Sequence, residues 1–230
     1  MRGLYAILDV ESLAARRIEP TAFAEAVLRV GPAALQLRAK GLPPRETLGL
    51  MRALAPMCHR AAVPLVANDR PDLAVLAGCD WVHVGQGDMP IEQVRRIAPS
   101  LGVGVSTHDI PQLERALAAR PTYVAYGPVF ETTTKADHAP IVGLGGVRLA
   151  RARAVAAGVP LVAIGGITRD RARELVGLVD AVAVIAGLLP APGASAGAPS
   201  SAELLREVSV RARAVHELFL SPPPNAEAAR

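Results

Sequence analysis

Short apolar segments recur along the chain, and each is followed by a segment whose apolar residues lie three or four positions apart. The apolar segments are continuous rather than alternating with polar residues, which is typical of parallel strands that are buried on both faces. The segments between them have the spacing of amphipathic helices. The eight apolar segments are residues 4–10, 34–40, 64–69, 81–86, 102–107, 122–130, 160–166 and 181–187.

This alternation predicts a (β/α)₈ TIM barrel with eight parallel strands. An open, doubly wound sheet is the alternative, because periodicity does not show whether a sheet closes. Thr21, Asp109 and Thr168 each precede a helical segment, and we expect them to cap those helices at the N-terminus. We expect residues 1–220 to form one barrel domain and the Pro-rich segment 221–230 to be a disordered tail.

Composition and charge narrow the class of protein. No run of 18 apolar residues occurs and the first residues lack a signal-peptide pattern, so we expect a cytoplasmic protein without a membrane partner. The net charge is +4, but the basic residues are scattered along helices and aromatic residues are few, which argues against nucleic acid binding. Cys58 and Cys79 lack a metal-ligand spacing, and we expect reduced, buried thiols. The sequence does not decide the oligomeric state, and a homo-oligomer is one of the alternatives.

The two lysines of the chain, Lys40 and Lys135, are notable because the other 23 basic residues are arginines. An ammonium group is a compact charge with three rotatable donors, which suits phosphate oxygens approached from varied angles. Both lysines follow predicted strands, at the end of a barrel where active sites are built. Their positions therefore predict anion binding at this end.

The second strand ends in a polar sequence, with Gln36, Arg38 and Lys40 at alternate positions. Alternation places the three side chains on one face of the strand, and residues facing inward at a strand end are those that meet a ligand. Cations in a barrel interior would be costly without an anion. The alternative is that they face the helices and extend to solvent. We expect an anion site.

Two carboxylates follow neighbouring strands, Asp69 after the third and Asp88 after the fourth. Carboxylates without histidine or cysteine around them form a hard oxygen site that suits Mg²⁺, which proteins often share with substrate phosphates. Each aspartate is alternatively an ordinary cap of the helix that follows it. Their pairing favours a magnesium site.

The fifth strand ends with Ser106, which either caps the next helix or binds a substrate. His83 and His108 read as structural, because neither has a nucleophile or a metal ligand at a suitable spacing. The strand-six segment supplies hydroxyl and amide donors for a second anion from Thr132, Thr133 and Thr134.

Glycine-containing segments end the last two strands, and barrels often bind phosphate between these two loops. The chain therefore contains two predicted anion sites, one with cations and a metal and one with amides and hydroxyls. Two phosphorylated small-molecule substrates, one of them a diphosphate, would occupy both.

Seven segments together resemble the thiamine phosphate synthase family of (β/α)₈ enzymes: QLRAK, NDRPDLA, VHVGQGDMP, GVSTHD, YGPVFETTTKADH, AIGGIT and VIAGL. The resemblance implies a transferase that joins 4-amino-2-methyl-5-hydroxymethylpyrimidine diphosphate to 4-methyl-5-(2-hydroxyethyl)thiazole phosphate. The products would be thiamine phosphate and diphosphate, and Mg²⁺ would be the cofactor.

The resemblance also implies roles for individual residues. The pyrimidine diphosphate would be bound by Gln36, Arg38, Lys40, Asn68, Ser106 and Lys135, of which Arg38, Lys40, Ser106 and Lys135 would be catalytic. Asp69 and Asp88 would bind Mg²⁺. The thiazole phosphate would be bound by Thr132, Thr133, Thr134, Gly166, Ile185 and Ala186.

The chain departs from the family pattern at Glu131, where the family usually has Pro, and at Ala186, where it usually has Ser. A glutamate at the first position also occurs in the thiazole tautomerases, a sister family. The tautomerase catalytic histidine is replaced by Pro128 here. A tautomerase-like enzyme and a non-catalytic phosphate-binding barrel are the alternative functions.

Overall fold

The computed structural model describes residues 1–132, 139–191 and 200–220 of the 230-residue chain. Three candidate site residues, Thr133, Thr134 and Lys135, lie outside the described residues. The segment 221–230 lies outside them as well, so the disordered tail stays a prediction, as does the assignment of residues 1–220 to one domain.

Eight parallel strands form a closed barrel in the order in which they occur along the chain. They are β1 Gly3–Asp9, β2 Ala34–Arg38, β3 Leu65–Asn68, β4 Trp81–Val84, β5 Gly102–Thr107, β6 Tyr123–Tyr126, β7 Leu161–Ile164 and β8 Ala181–Val184. The pairing of β1 with β8 closes the sheet, with Gly3 opposite Ala181 and Ala6 opposite Val184. The predicted barrel is confirmed, and the open-sheet alternative is wrong.

Helices cover the outside of the barrel. Within the described residues these are α1 Val10–Ala14, α2 Pro20–Leu28, α3 Pro44–Arg60, α4 Pro71–Ala77, α5 Ile91–Ile97, α6 Ile110–Ala118, α7 Gly143–Ala157, α8 Arg169–Glu174 and α9 Ser201–Leu220, with a short 3₁₀ helix at Ala186–Leu188. None of these described helices is long and apolar enough to cross a membrane. Both cysteines are buried and unpaired, and burial raises the pKa of the Cys58 thiol to about 12.

Helix N-termini follow the sequence expectation in two of three cases. The Asp109 carboxylate accepts from the backbone N–H of Gln112, and the Thr168 hydroxyl accepts from that of Arg171. The expectation for Thr21 is wrong, because α2 begins at Pro20 and Glu19 is its cap. Proline has no N–H to satisfy and is favoured in the first turn, so the helix begins one residue before Thr21.

Alternation along the strands separates two apolar layers. One set of side chains, including Leu4, Ala6 and Leu8 of β1, packs against the helices. The other set, including Tyr5 and Ile7 of the same strand, fills the barrel interior. Gln36 and Arg38 share the register of these inward positions, because Gln36 pairs with Ile7 and Arg38 with Asp9. Polar residues at the strand ends therefore lie on the same face as the interior layer.

The Tyr123 ring fills the centre of the barrel because the strand beside it contributes glycine. A Cβ atom on Gly104 would lie 2.0 Å from Cζ of Tyr123. The ring centroid of Tyr123 also lies 5.5 Å from that of Tyr5 and 5.8 Å from that of Trp81. The Tyr123 ring thus occupies the space that a side chain at position 104 would fill, and Tyr123 is only 1% exposed.

We predict that Gly104→Ala destabilises the protein by about 1–3 kcal/mol, because the added methyl group would force the Tyr123 ring out of its packed position. The matched control is Gly49→Ala in α3, where a Cβ atom meets nothing within 4 Å. That change should stabilise the protein by about 0.5–1 kcal/mol, because alanine is the better helix former. Urea denaturation of both variants measures the difference, and an equal effect of the two changes would contradict this account.

Candidate active site

Two adjoining cavities open at the carboxyl ends of the strands. Their volumes are about 720 Å³ and about 440 Å³, and we call them the larger and the smaller cavity. Ser106, His108, Ile164, Ala183 and Ile185 line both. Molecules bound in the two cavities would therefore lie next to each other and contact some of the same residues.

Each described candidate residue lines one or both of these cavities. The smaller cavity is lined by Gln36, Arg38, Lys40, Asn68, Asp69, Asp88, Ser106 and Ile185. The larger cavity is lined by Ser106, Thr132, Gly166, Ile185 and Ala186. The three candidates outside the described residues, Thr133, Thr134 and Lys135, follow Thr132 directly in the sequence.

A chain of hydrogen bonds crosses the barrel interior below the smaller cavity. The Gln36 amide nitrogen donates to Oδ1 of Asn68 over 2.7 Å, and the Gln36 amide oxygen accepts from the Tyr5 hydroxyl over 2.7 Å. The Tyr5 hydroxyl also lies 2.7 Å from that of Tyr123. A hydroxyl has one proton, and that of Tyr5 is used toward Gln36, so Tyr123 is the donor to Tyr5.

The same argument assigns the tautomer of His83. Its Nδ1 atom lies 2.9 Å from the Tyr123 hydroxyl, and its Nε2 atom lies 2.8 Å from Oγ of Ser106. Since the Tyr123 proton is directed to Tyr5, Nδ1–H of His83 donates to Tyr123. With this ring proton on Nδ1, Nε2 accepts from the Ser106 hydroxyl, which leaves the Ser106 lone pairs for a ligand.

One sequence alternative about this region is wrong. Ser106 does not cap the helix after β5, because Asp109 has that role. The sequence indicated no partner for His83, whereas the structure places Ser106 beside it on the neighbouring strand. The pair was missed since the two residues are 23 positions apart and only strand register brings them together.

Both cations of the smaller cavity have carboxylate partners. Arg38 forms an ion pair with Asp9, and both side chains are largely buried. Asp9 also caps α1 by accepting from the backbone N–H of Ser12 over 2.9 Å. Nζ of Lys40 lies 3.3 Å from the Asp69 carboxylate. The expectation that inward cations require a bound anion is therefore too simple, because Asp9 already compensates Arg38.

The carboxylates of Asp69 and Asp88 interact with each other. Burial is the main cause that raises the pKa of Asp69, the hydrogen bond and charge of Asp88 add to it, and Lys40 opposes the rise. Oδ2 of Asp88 accepts from the backbone N–H of Gly85 over 2.7 Å. Neither aspartate caps a helix, since α4 and α5 begin without a side-chain cap. The capping alternative is therefore wrong for both.

The backbone at Asp69 is itself unusual. Its φ angle is +62°, in the left-handed region that residues with side chains adopt rarely. The backbone N–H of Asp69 donates to the carbonyl of His83 over 2.8 Å, which fixes this turn against β4. Such backbone strain is found preferentially where a side chain must be aimed at a ligand.

Glycines shape the wall of the larger cavity through contacts with the loop after β6. A Cβ atom on Gly165 would lie 2.5 Å from Cα of Pro128, and one on Gly166 would lie 2.2 Å from the Glu131 carbonyl oxygen. Their φ angles are +101° and +65°. Close approach of two backbone segments requires these glycines, whether or not a ligand is bound.

Several residues that line the cavities were not predicted from the sequence. The Gln86 amide donates to the Ser106 carbonyl over 2.6 Å, and His108 contacts the Gly127 carbonyl over 2.6 Å through Nδ1. Arg171 of α8 lines the larger cavity. Gln86 and His108 lie in loops, where no periodic pattern indicates the direction of a side chain, and α8 has only 6 residues, too few for its periodicity to place Arg171.

Comparison with known proteins decides the family. Residues 4–188 match the model of a family described as thiamine monophosphate synthase. The match runs from Leu4 in β1 through β8 and includes the described residues that line both cavities. The chain belongs to this family.

Individual relatives agree with this membership. The thiamine-phosphate synthase of Roseiflexus sp. (strain RS-1) is 38% identical over 170 residues, which are 66% of this chain and 71% of that protein. The thiamine-phosphate synthase of Roseiflexus castenholzii is 44% identical over 120 residues, so the aligned part spans about half of that relative, 53%. A solved thiamine phosphate pyrophosphorylase from Pyrococcus furiosus is 30% identical, has a TM-score of 0.73, and is covered to 96% by 94% of this chain.

We predict that Tyr123→Phe destabilises the protein by about 1–3 kcal/mol, because Nδ1–H of His83 would lose its buried acceptor. The control is Tyr126→Phe on the same strand, where the side chain packs in the outer layer. No hydrogen bond of the Tyr126 hydroxyl is present among the described residues, so its loss should cost less than about 0.5 kcal/mol. Urea denaturation compares the two variants, and a smaller loss for Tyr123→Phe than for the control would refute the hydrogen-bond assignment.

Proposed function

We propose that this chain is a thiamine-phosphate synthase. It joins 4-amino-2-methyl-5-hydroxymethylpyrimidine diphosphate to 4-methyl-5-(2-hydroxyethyl)thiazole phosphate and releases diphosphate. The observation that carries the proposal is the pair of adjoining cavities, one with cations and carboxylates and one lined mostly by backbone, hydroxyl and apolar groups. Two anionic substrates that react with each other need such a pair.

The pyrimidine diphosphate binds in the smaller cavity. Arg38 and Lys40 supply positive charge to the diphosphate, and Asn68 and Gln36 contact the pyrimidine. By sequence position, Lys135 adds a third charge from the loop after β6. These cations stabilise the diphosphate as it departs, which is the main source of catalysis in such a site.

Hydrogen-bond polarity at Ser106 fits the amino group of the pyrimidine. Because the Ser106 proton is directed to Nε2 of His83, Oγ accepts rather than donates toward a ligand. An aminopyrimidine carries N–H donors, so Ser106 can recognise this group without rearrangement. His83 acts here by orienting Ser106.

Asp69 and Asp88 are suited to Mg²⁺. Two carboxylates that interact at close range, with the pKa of Asp69 raised, indicate a site that gains from a cation. The described residues contain no group of three or more His, Cys, Asp or Glu side chains arranged around a metal. Water and diphosphate oxygens would complete the shell, as is usual for Mg²⁺. When bound, the ion would offset the negative charge of the leaving diphosphate.

The thiazole phosphate binds in the larger cavity. The Thr132 hydroxyl and the backbone amides of Gly166, Ile185 and Ala186 are the expected donors to its phosphate. Thr133 and Thr134 continue this set by sequence position. Ala186 lacks the hydroxyl that the family usually supplies, but its backbone N–H is retained.

The reaction is a substitution at the exocyclic methylene of the pyrimidine. The C–O bond to diphosphate breaks, and the diphosphate oxygen keeps the electron pair. The aminopyrimidine stabilises the resulting carbocation, and the thiazole nitrogen lone pair forms the new C–N bond. No proton must be removed from the attacking nitrogen, so no general base is needed. Apolar Ile164 and Ile185 line the shared wall, where they limit access of competing water.

The thiazole tautomerase alternative fits less well. Its reaction does not require a cavity surrounded by Arg38, Lys40 and two carboxylates.

Reduced, unpaired cysteines and phosphorylated substrates favour a cytoplasmic location for the protein.

Incubation with both substrates and Mg²⁺, followed by assay of released diphosphate, tests the synthase directly. Conversion of a thiazole substrate alone would favour the tautomerase.

We predict that Asp69→Asn and Asp88→Asn each lower turnover by at least about tenfold without lowering the melting temperature. Each change removes one of two neighbouring, half-buried carboxylates, so stability should hold or rise while affinity for Mg²⁺ falls. The control is Asp72→Asn, which alters an exposed ion pair with Arg70 and should leave turnover nearly unchanged. Diphosphate release and thermal melting measure the effects. Full activity of either site variant in EDTA would eliminate the metal assignment.

A further inference from the structure

The larger cavity has few charges for a site that takes a phosphate group. Among its described lining residues, Arg171 is the only lysine or arginine, and Glu131 is the only carboxylate. The other described lining groups are neutral or apolar apart from His108. A phosphate dianion bound without Arg171 would meet amides, hydroxyls and one negative charge.

Arg171 is fixed in place by contacts at one end of its guanidinium. Nη1 donates to the Gly166 carbonyl over 2.7 Å and to the Glu131 carbonyl over 3.3 Å. The guanidinium carbon lies 5.1 Å from the centre of the Phe130 ring. These contacts orient the side chain beside Gly166 before any ligand arrives.

The remaining donors of Arg171 distinguish it from the cations of the smaller cavity. Arg38 and Lys40 are each paired with a carboxylate. Within residues 1–132, 139–191 and 200–220, Arg171 has no carboxylate partner, and its only hydrogen-bond acceptors are two carbonyls at Nη1. Nε and Nη2 are therefore available to an anion in the larger cavity.

We propose that Arg171 is a phosphate ligand of the larger cavity and the residue that selects phosphorylated thiazole over the free thiazole alcohol. This inference rests on the proposed function, because it assigns the thiazole phosphate to this cavity. Two guanidinium donors on one edge match two phosphate oxygens, and such charge-assisted pairs are stronger than neutral hydrogen bonds. The arginine also supplies charge where Ala186 supplies no hydroxyl.

A purely structural role for Arg171 predicts a different outcome. As a clamp between the Gly166 and Glu131 carbonyls, it would shape the cavity for any thiazole. Its loss would then weaken binding of the thiazole phosphate and of the thiazole alcohol equally. As a phosphate ligand, it affects only the phosphorylated compound. The ratio of the two affinities therefore separates the roles.

The test measures binding of thiazole phosphate, thiazole alcohol and inorganic phosphate by calorimetry to the full chain and to Arg171→Gln. We expect thiazole phosphate affinity to fall about tenfold to a hundredfold, with inorganic phosphate affected in parallel and the alcohol within about twofold. Arg171→Lys keeps the positive charge but lacks the paired donors of the guanidinium group. Its affinity for thiazole phosphate should therefore lie between those of the wild type and Arg171→Gln. Arg169→Gln, at the exposed first position of α8, is the control.

Each outcome decides the proposal. An equal loss of affinity for thiazole phosphate and thiazole alcohol, or no loss of affinity for either compound, would overturn the proposal. If Arg171→Gln melts at a much lower temperature, the comparison is made with Arg171→Lys. The ratio of its affinity for thiazole phosphate to its affinity for thiazole alcohol must then be lower than that of the wild type. The diphosphate-release assay of the wild type is run separately. Phosphate binding that depends on Arg171 in a protein without that activity would refute the proposed function and retain the anion site.

Discussion

The hydroxyl group of Tyr123 sets the direction of hydrogen bonding across the barrel. It is buried at the centre of the barrel, where a donor without a protein acceptor would not be satisfied by bulk water. It forms hydrogen bonds with both Tyr5 and His83. With one proton on each hydroxyl, the bonds run in one direction from Ser106 to Asn68. No buried side-chain nitrogen or oxygen of the described residues lacks a partner. A buried network that is fully satisfied in one arrangement favours that arrangement over others.

The direction of hydrogen bonding determines what Ser106 and Asn68, at the two ends of the chain of bonds, offer to the smaller cavity. Ser106 gives its proton inward and presents lone pairs to the cavity, whereas Asn68 accepts inward through Oδ1 and has its amide hydrogens left for other partners. Strands β3 and β5 therefore offer opposite hydrogen-bonding character to one ligand. The residues that stabilise the barrel interior and the proposed ligand contacts, Ser106 and Asn68, belong to one network. A change at Tyr5 or Tyr123 would for this reason affect the orientation of Ser106 and Asn68 as well as the lining of the smaller cavity.

Periodicity was sufficient to predict eight parallel strands alternating with amphipathic helices, but it left an open sheet as the alternative to a closed barrel. Chain position at strand ends was sufficient to bring Gln36, Arg38 and Lys40 to one cavity. The partners of these residues could not be predicted. Asp9 reaches Arg38 through the register of β1 and β2, and Ser106 reaches His83 through that of β4 and β5. Register is a tertiary property, and neither pair has a spacing in the sequence that indicates it.

Charge balance in the smaller cavity bears on how a diphosphate enters it. The described ionisable lining residues there are Arg38, Lys40, Asp69 and Asp88, besides His83, His108 and buried tyrosines. Arg38 is already paired with Asp9, so these four side chains together with Asp9 carry two positive and three negative charges when all are ionised. Under the proposed function, a bare diphosphate would add several further negative charges to this cavity, where the pKa of Asp69 is already raised. Under the proposed function, a divalent cation bound with the diphosphate would reduce the added negative charge and would give the two carboxylates a partner. Lys40 would then be free to contact phosphate oxygens. These charges would therefore favour binding of the metal and the diphosphate together over either one alone.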